Sequence, residues 1–103
     1  MHLLIIFCMS MGASQSVTAE DARDLARKSG CFNCHAIATD EVGPAWRSVA
    51  DKYRGDAGAE ARLVEKVSKG GKGVWGFLSM PAFGSQLKEA EIRTLVRYVL
   101  SLK

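Results

Sequence analysis

Two cysteines and a histidine lie within five consecutive residues, and this spacing restricts the possible fold and chemistry more than any other feature of the chain. Cys31 and Cys34 are separated by Phe32 and Asn33, and His35 follows directly. The pattern is typical of covalent haem attachment, in which the two thiols add to the haem vinyl groups and the adjacent histidine binds the iron. The sequence therefore predicts one haem c, attached through Cys31 and Cys34, with His35 as an iron ligand.

Three other kinds of site use two cysteines at this spacing. A thioredoxin-like dithiol is expected within a strand-helix-strand unit, which the helical pattern of this chain lacks. Structural zinc needs four nitrogen or sulfur ligands, whereas the cysteines and histidines after residue 19 are Cys31, Cys34 and His35 alone. A plain disulfide explains neither His35 nor the shortage of core residues in so short a chain. Haem attachment accounts for all of these observations.

The first nine residues are largely apolar, and small and polar residues continue from there to Ala19. The apolar stretch is too short to span a bilayer, which takes about 20 residues, and it resembles a secretory signal peptide. Cleavage after Ala19 would place a small residue at the last position and Val17 two residues before it. We therefore expect a cleaved leader over residues 1–19 and one domain over residues 20–103. The alternative is an apolar helix packed on the domain, which would be uncapped and apolar all round.

The charge balance is mildly basic. The chain contains 14 lysine and arginine residues and 11 aspartate and glutamate residues, a net charge of +3, and all of these residues follow Ala19. Two haem propionates would bring this balance close to neutral. A nucleic-acid partner would call for a clustered basic stripe, so we expect none.

Helical periodicity dominates the region after the expected leader, and no strand-like alternation interrupts it. Helices are predicted over Glu20–Ser29, Trp46–Tyr53, Ala59–Lys69 and a C-terminal segment that includes Glu89 and Leu100. Glycines follow the first three helices, as is common at helix ends. We therefore predict an all-α fold, with about four short helices and long loops wrapped around one haem c. Loops of this length in so small a domain need a ligand that organises them.

Met80 is the only methionine after residue 19, and it lies in an apolar, glycine-rich segment between the last two helices. Methionine and histidine form the axial pair of electron-transfer cytochromes, in which the methionine raises the reduction potential. A methionine that merely fills a core is the alternative. The step from Met80 to Pro81, within an apolar loop after the haem histidine, favours Met80 as the second iron ligand.

Four stretches occur in an order that is known from one family. They are residues 31–35, Val42-Gly43-Pro44-Ala45, Gly73-Val74-Trp75-Gly76 and Met80-Pro81. These stretches resemble the bacterial cytochrome c-551/c-552 family of monohaem class I cytochromes c, and the similarity covers essentially all of the chain after residue 19. The resemblance implies the small class I cytochrome c fold, with His35 as the proximal and Met80 as the distal iron ligand.

The resemblance also implies roles for residues around the haem. The carbonyl group of Pro44 would accept a hydrogen bond from the ring of His35, and Trp75 and Arg47 would donate hydrogen bonds to a buried haem propionate. One departure is that Ala82 and Phe83 follow Met80-Pro81, whereas many members continue with Pro-Asn. A polar neighbour of the methionine sulfur is therefore missing.

A function follows from the same resemblance. It implies a soluble periplasmic protein that carries single electrons between respiratory complexes and a terminal oxidase, nitrite reductase or peroxidase, and that is not itself an enzyme. We expect a monomer that meets its redox partner proteins through the exposed haem edge and does not insert stably into a membrane once the leader is removed.

Two other functions would fit a haem c protein. A gas sensor or weak peroxidase would require an open sixth position on the iron, against which Met80 argues. An electron-accepting subunit held permanently by a dehydrogenase would require a large apolar surface patch.

Overall fold

The computed structural model describes residues 2–9, 12 and 16–103. Its helices are α1 (Ala19–Lys28), a short 3-10 helix (Cys31–Asn33), α2 (Trp46–Lys52), α3 (Ala59–Lys69) and α4 (Glu89–Ser101). In the described part of the chain, β pairing is limited to one isolated antiparallel bridge between Gly71 and Met80. The predicted all-α fold is confirmed.

The leader expected over residues 1–19 is described only in part, since residues 1, 10, 11 and 13–15 lie outside the described residues. Residues 2–9 are exposed and form no helix, so this part of the chain lacks the alternative packed apolar helix. Among residues 2–9, 12 and 16–103, no helix combines the length and the apolar character that a membrane span requires.

Helix α1 begins one residue earlier than predicted because Thr18 caps it. The Thr18 hydroxyl accepts a hydrogen bond from the backbone N–H of Asp21 at 3.1 Å, and the Asp21 carboxylate accepts one from the backbone N–H of Thr18 at 3.2 Å. Such a reciprocal pair satisfies N–H groups that a helix start otherwise leaves without partners. Cleavage after Ala19 would remove this cap from the helix.

Helix α4 is the element on which the other helices pack, since it contacts α1, α2 and α3. Its buried side chains take part in two clusters. One cluster joins Leu95, Tyr98 and Val99 to the buried faces of α1 and α2. The other joins Ile92 and Val96 to α3. An apolar stripe at helical spacing thus holds three helices around one central helix.

An ion-pair cluster joins α3 to α4 at the edge of this core. The Glu60 carboxylate accepts hydrogen bonds from Arg93 Nη1 at 3.1 Å and from Arg97 Nε at 2.5 Å. The hydrogen bond from Arg97 is the main cause that lowers the pKa of Glu60 below its usual value of 4.5, and the charges of both arginines act in the same direction. Glu60 therefore stabilises the α3–α4 interface in its ionised form.

We expect Glu60→Gln to lower the stability of the protein at neutral pH, because it leaves two arginines without their shared carboxylate. A lowered folded-state pKa means that the stabilisation is complete above the usual pKa of 4.5. It disappears as the pH falls through the folded-state pKa. Urea unfolding followed by circular dichroism over a range of pH values measures this difference between the variant and the wild type.

The matched control is Glu65→Gln, whose carboxylate makes one exposed ion pair with Lys69 on the same helix. Exposed pairs of this kind contribute little, so the control should unfold much like the wild type. A difference between Glu60→Gln and the wild type that stays constant from neutral to acid pH would contradict the prediction.

Candidate haem site

A cavity of about 530 Å³ opens between the 3-10 helix, the inner faces of α2, α3 and α4, and residues 71–83. Cofactor sites in proteins typically measure about 300–1,000 Å³ and are lined mainly by apolar side chains. The apolar side chains that α2, α3 and α4 contribute to this wall are those of Trp46, Val49, Leu63, Val67, Leu95, Val96 and Val99. Among the described residues, the charged side chains in the lining are Lys66 and Lys72, and no carboxylate joins them.

Both cysteines of the attachment motif face this cavity. A turn precedes them at Gly30, whose φ of 82° lies in the left-handed region that favours glycine. The backbone N–H groups of Cys34 and His35 then donate to the carbonyl of Cys31 at 3.2 and 2.9 Å, which brings all three residues to the cavity wall. Cys31 and Cys34 are half-buried free thiols. Burial raises the pKa of the Cys31 thiol, and a backbone hydrogen bond acts against that effect.

The structure bears on two of the alternative sites for these cysteines. The two thiols are not joined in a disulfide. Within the part of the chain that the structure describes, no three side chains of His, Cys, Asp or Glu form a group that could hold a metal ion. The zinc alternative therefore finds no set of ligands in that part.

The ring of His35 is held by the loop that follows it. Its Nδ1 lies 2.8 Å from the carbonyl oxygen of Pro44. A carbonyl can only accept, so Nδ1 donates the hydrogen and Nε2 keeps its lone pair free to bind a metal. Gly43 lies directly against the ring, because a Cβ atom there would be 2.5 Å from His35 Cε1. Its N–H donates to the carbonyl of Cys34 at 2.7 Å, which fastens the loop next to the ring.

Met80 lines the same cavity and belongs to the segment between α3 and α4. It is half-buried, and its backbone exchanges two hydrogen bonds with Gly71, at 2.9 and 3.0 Å. These two residues close a protruding segment, residues 72–79, whose members are all exposed. Phe83, which stands where many relatives of the resembled family have a polar residue, also lines the cavity. The cavity is therefore apolar on the Met80 side as well.

Trp75 lies on the protruding segment and lines the cavity, although its side chain is 45% exposed. The ammonium group of Lys52 lies 5.7 Å from the centre of the Trp75 ring and 5.8 Å from that of Tyr53. Cation–π attraction acts over this distance. Lys52 thus connects α2 to the segment that carries Trp75.

The structure does not bring Arg47 to the cavity. Arg47 is an exposed residue of α2 and is absent from the lining, while its neighbour Trp46 is part of it. The cation that α3 contributes instead is Lys66, which is half-buried. The signal for Lys66 was present in the sequence, since it follows Leu63 by one helical turn and precedes Val67, both of which line the cavity.

The residues fit a haem by several independent features. The cavity has the size and apolar lining of a cofactor site, and the two thiols of the attachment motif, a histidine and a methionine all line it. Four of the residues predicted from the motif and from Met80 are therefore brought to one place, together with Pro44 and Trp75.

Comparison with known proteins gives the same picture. The chain is 42% identical over 101 residues to cytochrome c-551 of Pseudomonas aeruginosa, covering 98% of this chain and 95% of the relative. It is 42% identical over 79 residues to cytochrome c-552 of Hydrogenobacter thermophilus, covering 77% of this chain and 79% of that protein. The crystal structure of cytochrome c552 from Nitrosomonas europaea superposes with a TM-score of 0.74 at 37% identity, covering 79% of this chain and 99% of the other.

These similarities extend over the whole region that contains the cavity. They show a small class I cytochrome fold with one covalently attached haem c, whose attachment spacing Cys31 and Cys34 provide. The family described as Cytochrome c matches residues 16–103. The chain therefore belongs to the cytochrome c family.

Proposed function

We propose that this protein is a periplasmic carrier of single electrons whose haem c is bound by His35 and Met80. In this proposal it shuttles electrons between respiratory complexes and a terminal oxidase, nitrite reductase or peroxidase, and converts no substrate itself. Membership of the cytochrome c family supports a haem c electron carrier. The observation that carries the finer proposal is that His35 and Met80 line the same cavity as Cys31 and Cys34.

Pro44, His35, Met80 and the apolar cavity walls have different roles in this function. The bound haem supplies the Fe(II)/Fe(III) couple. Pro44 orients the His35 ring through the 2.8 Å hydrogen bond, so that Nε2 is directed to a metal and not to the backbone. Met80 offers a soft thioether, which favours the ferrous state and raises the potential. The apolar walls exclude water and so limit the rearrangement of solvent when the charge of the site changes.

The contact with redox partners would be weak and brief, in the class of interfaces that bury less than about 1,200 Å². Residues 72–79 form one side of the cavity mouth, and Lys72 is exposed there, with no carboxylate of the described residues in the cavity lining. We propose that a monomer presents this face to its partners. Removal of residues 1–19 as an export leader is part of the same proposal.

Met80 separates the shuttle from a gas sensor or a peroxidase. A thioether in the sixth position should exclude external ligands in the wild type, whereas Met80→Ala should admit carbon monoxide and lower the reduction potential. If Met80 is detached from the iron in about 1% of the wild-type molecules, the variant should bind carbon monoxide about 100-fold more tightly. The test is a carbon monoxide titration of the reduced holoprotein at neutral pH. Equal affinity in the wild type and the variant would favour the gas-binding alternative.

Lys66, and not Arg47, is proposed as the cation beside a haem propionate. An ammonium group near a carboxylate lowers the pKa of that carboxylate, by about one to three units at close range. Lys66→Met should therefore move the pH at which the reduction potential changes to a higher value, by about one unit. Arg47→Met is the matched control, because it removes one positive charge from a residue outside the cavity. A larger shift in Arg47→Met than in Lys66→Met would contradict the assignment.

Positive charge at the cavity mouth should steer anionic reaction partners. The oxidation rate of the reduced protein by hexacyanoferrate, an anion, should fall as salt is added, because the Debye length shortens to about 10 Å at 0.1 M. The rate at which hexaammineruthenium(II), a cationic reductant, reduces the ferric protein should rise. Lys72→Gln should flatten both slopes, whereas Lys103→Gln, outside the cavity lining, should change them less. Rates with both reagents that stay flat up to about 0.5 M salt would show that charge does not guide the contact.

A further inference from the structure

The end of helix α3 is joined to the Met80 segment by backbone hydrogen bonds. The last carbonyl groups of a helix have no partner inside the helix. Here the carbonyls of Val67 and Ser68 accept hydrogen bonds from the N–H groups of Phe83 and Gly84, both at 3.0 Å. The residues just after Met80 therefore run along the end of α3 and satisfy its free carbonyls.

Gly70 is the point at which the two segments come closest. Its φ of 71° and ψ of −167° lie in a region that is essentially restricted to glycine. A Cβ atom at this position would lie 2.5 Å from the carbonyl oxygen of Met80, 2.9 Å from the nitrogen of Ala82 and 2.9 Å from the carbonyl carbon of Pro81. All three are backbone atoms, so no side-chain rotation can relieve the contact. A side chain at Gly70 would push the backbone of Met80 away from α3.

Gly84 makes a second close approach on the other side of Met80. A Cβ atom there would lie 2.6 Å from Ser68 Oγ and 2.9 Å from the Ser68 carbonyl oxygen. The φ of Gly84 lies outside the left-handed region. Space alone, and not backbone conformation, therefore favours glycine at this position.

We propose that Gly70 and Gly84 are positioning residues for Met80. They allow the segment 80–84 to lie directly on the end of α3, and this fixed contact sets where the Met80 thioether stands in the cavity. The inference deepens the proposed function, because it rests on Met80 as an iron ligand. It differs from an ordinary helix-ending role of Gly70, since that role predicts a loss of stability without any change at the iron.

The test compares Gly70→Ala with Gly55→Ala in the holoprotein. Gly55 has a similar left-handed φ of 79°, but a Cβ atom there would meet nothing within 4 Å. Both variants carry left-handed strain, and only Gly70→Ala adds the contact with the Met80 backbone. A coupling of about 1–3 kcal/mol between that contact and the iron site corresponds to a factor of about five to 150 in an equilibrium. In Gly70→Ala, retreat of the Met80 segment relieves the contact. We therefore expect its carbon monoxide affinity to rise by about five- to 100-fold and its far-red sulfur-to-iron absorption band to weaken.

Gly55→Ala should lose stability in urea and keep the wild-type band and affinity. Gly84→Ala is the second variant, because it crowds the same contact without left-handed strain and should shift the band and the affinity in the same direction as Gly70→Ala. If Gly70→Ala folds poorly, Gly84→Ala alone decides. Wild-type bands and affinities in these two variants would overturn the inference and leave the proposed function intact. A wild-type holoprotein without the band would overturn both.

Discussion

His35 and Met80 belong to distant parts of the chain, and the structure depends on bringing both side chains to one cavity. Neither residue lies on a helix. Each is held by a neighbouring segment that approaches through a glycine, with Gly43 against the imidazole ring and Gly70 against the Met80 carbonyl. These contacts use backbone and ring atoms that cannot move aside. Small residues at two points therefore allow the chain to approach the His35 ring and the Met80 backbone closely.

Helix α4 connects this arrangement to the stability of the domain. Leu95, Val96 and Val99 are buried against the neighbouring helices, and the same three side chains line the cavity. One apolar stripe thus serves two purposes, since it packs the helices and forms a wall of the cofactor site. A bound haem adds apolar contact area to a chain whose short length otherwise limits its core. Binding of the cofactor and folding of the helices are therefore coupled through α4.

Local sequence patterns predicted the helices, whereas contacts between distant segments have no such pattern in the sequence. Helix α3 begins and ends where the apolar spacing and the glycines after Lys69 place it. Helix α1 begins at Ala19, one residue before the predicted start, because Thr18 caps it. The 3-10 helix is too short to show a period. The pairing of Gly71 with Met80 depends on a contact across a glycine-rich segment, for which the sequence has no periodic signal. The propionate role of Arg47 is implied by the resemblance alone, and its place on α2 outside the cavity lining follows from the fold.

The replacement of the usual polar residue by Phe83 shows how position and polarity are separated at this site. The N–H of Phe83 donates to the carbonyl of Val67, and the N–H of Gly84 to that of Ser68, so the contact with α3 uses backbone groups that every residue except proline possesses. The side chain of Phe83 can therefore change without releasing the segment that carries Met80. What changes is the surroundings of the thioether, because an apolar ring lines the cavity in place of a hydrogen-bond donor. The backbone contact with α3 and the polarity of the side chain at residue 83 are therefore independent properties of this segment.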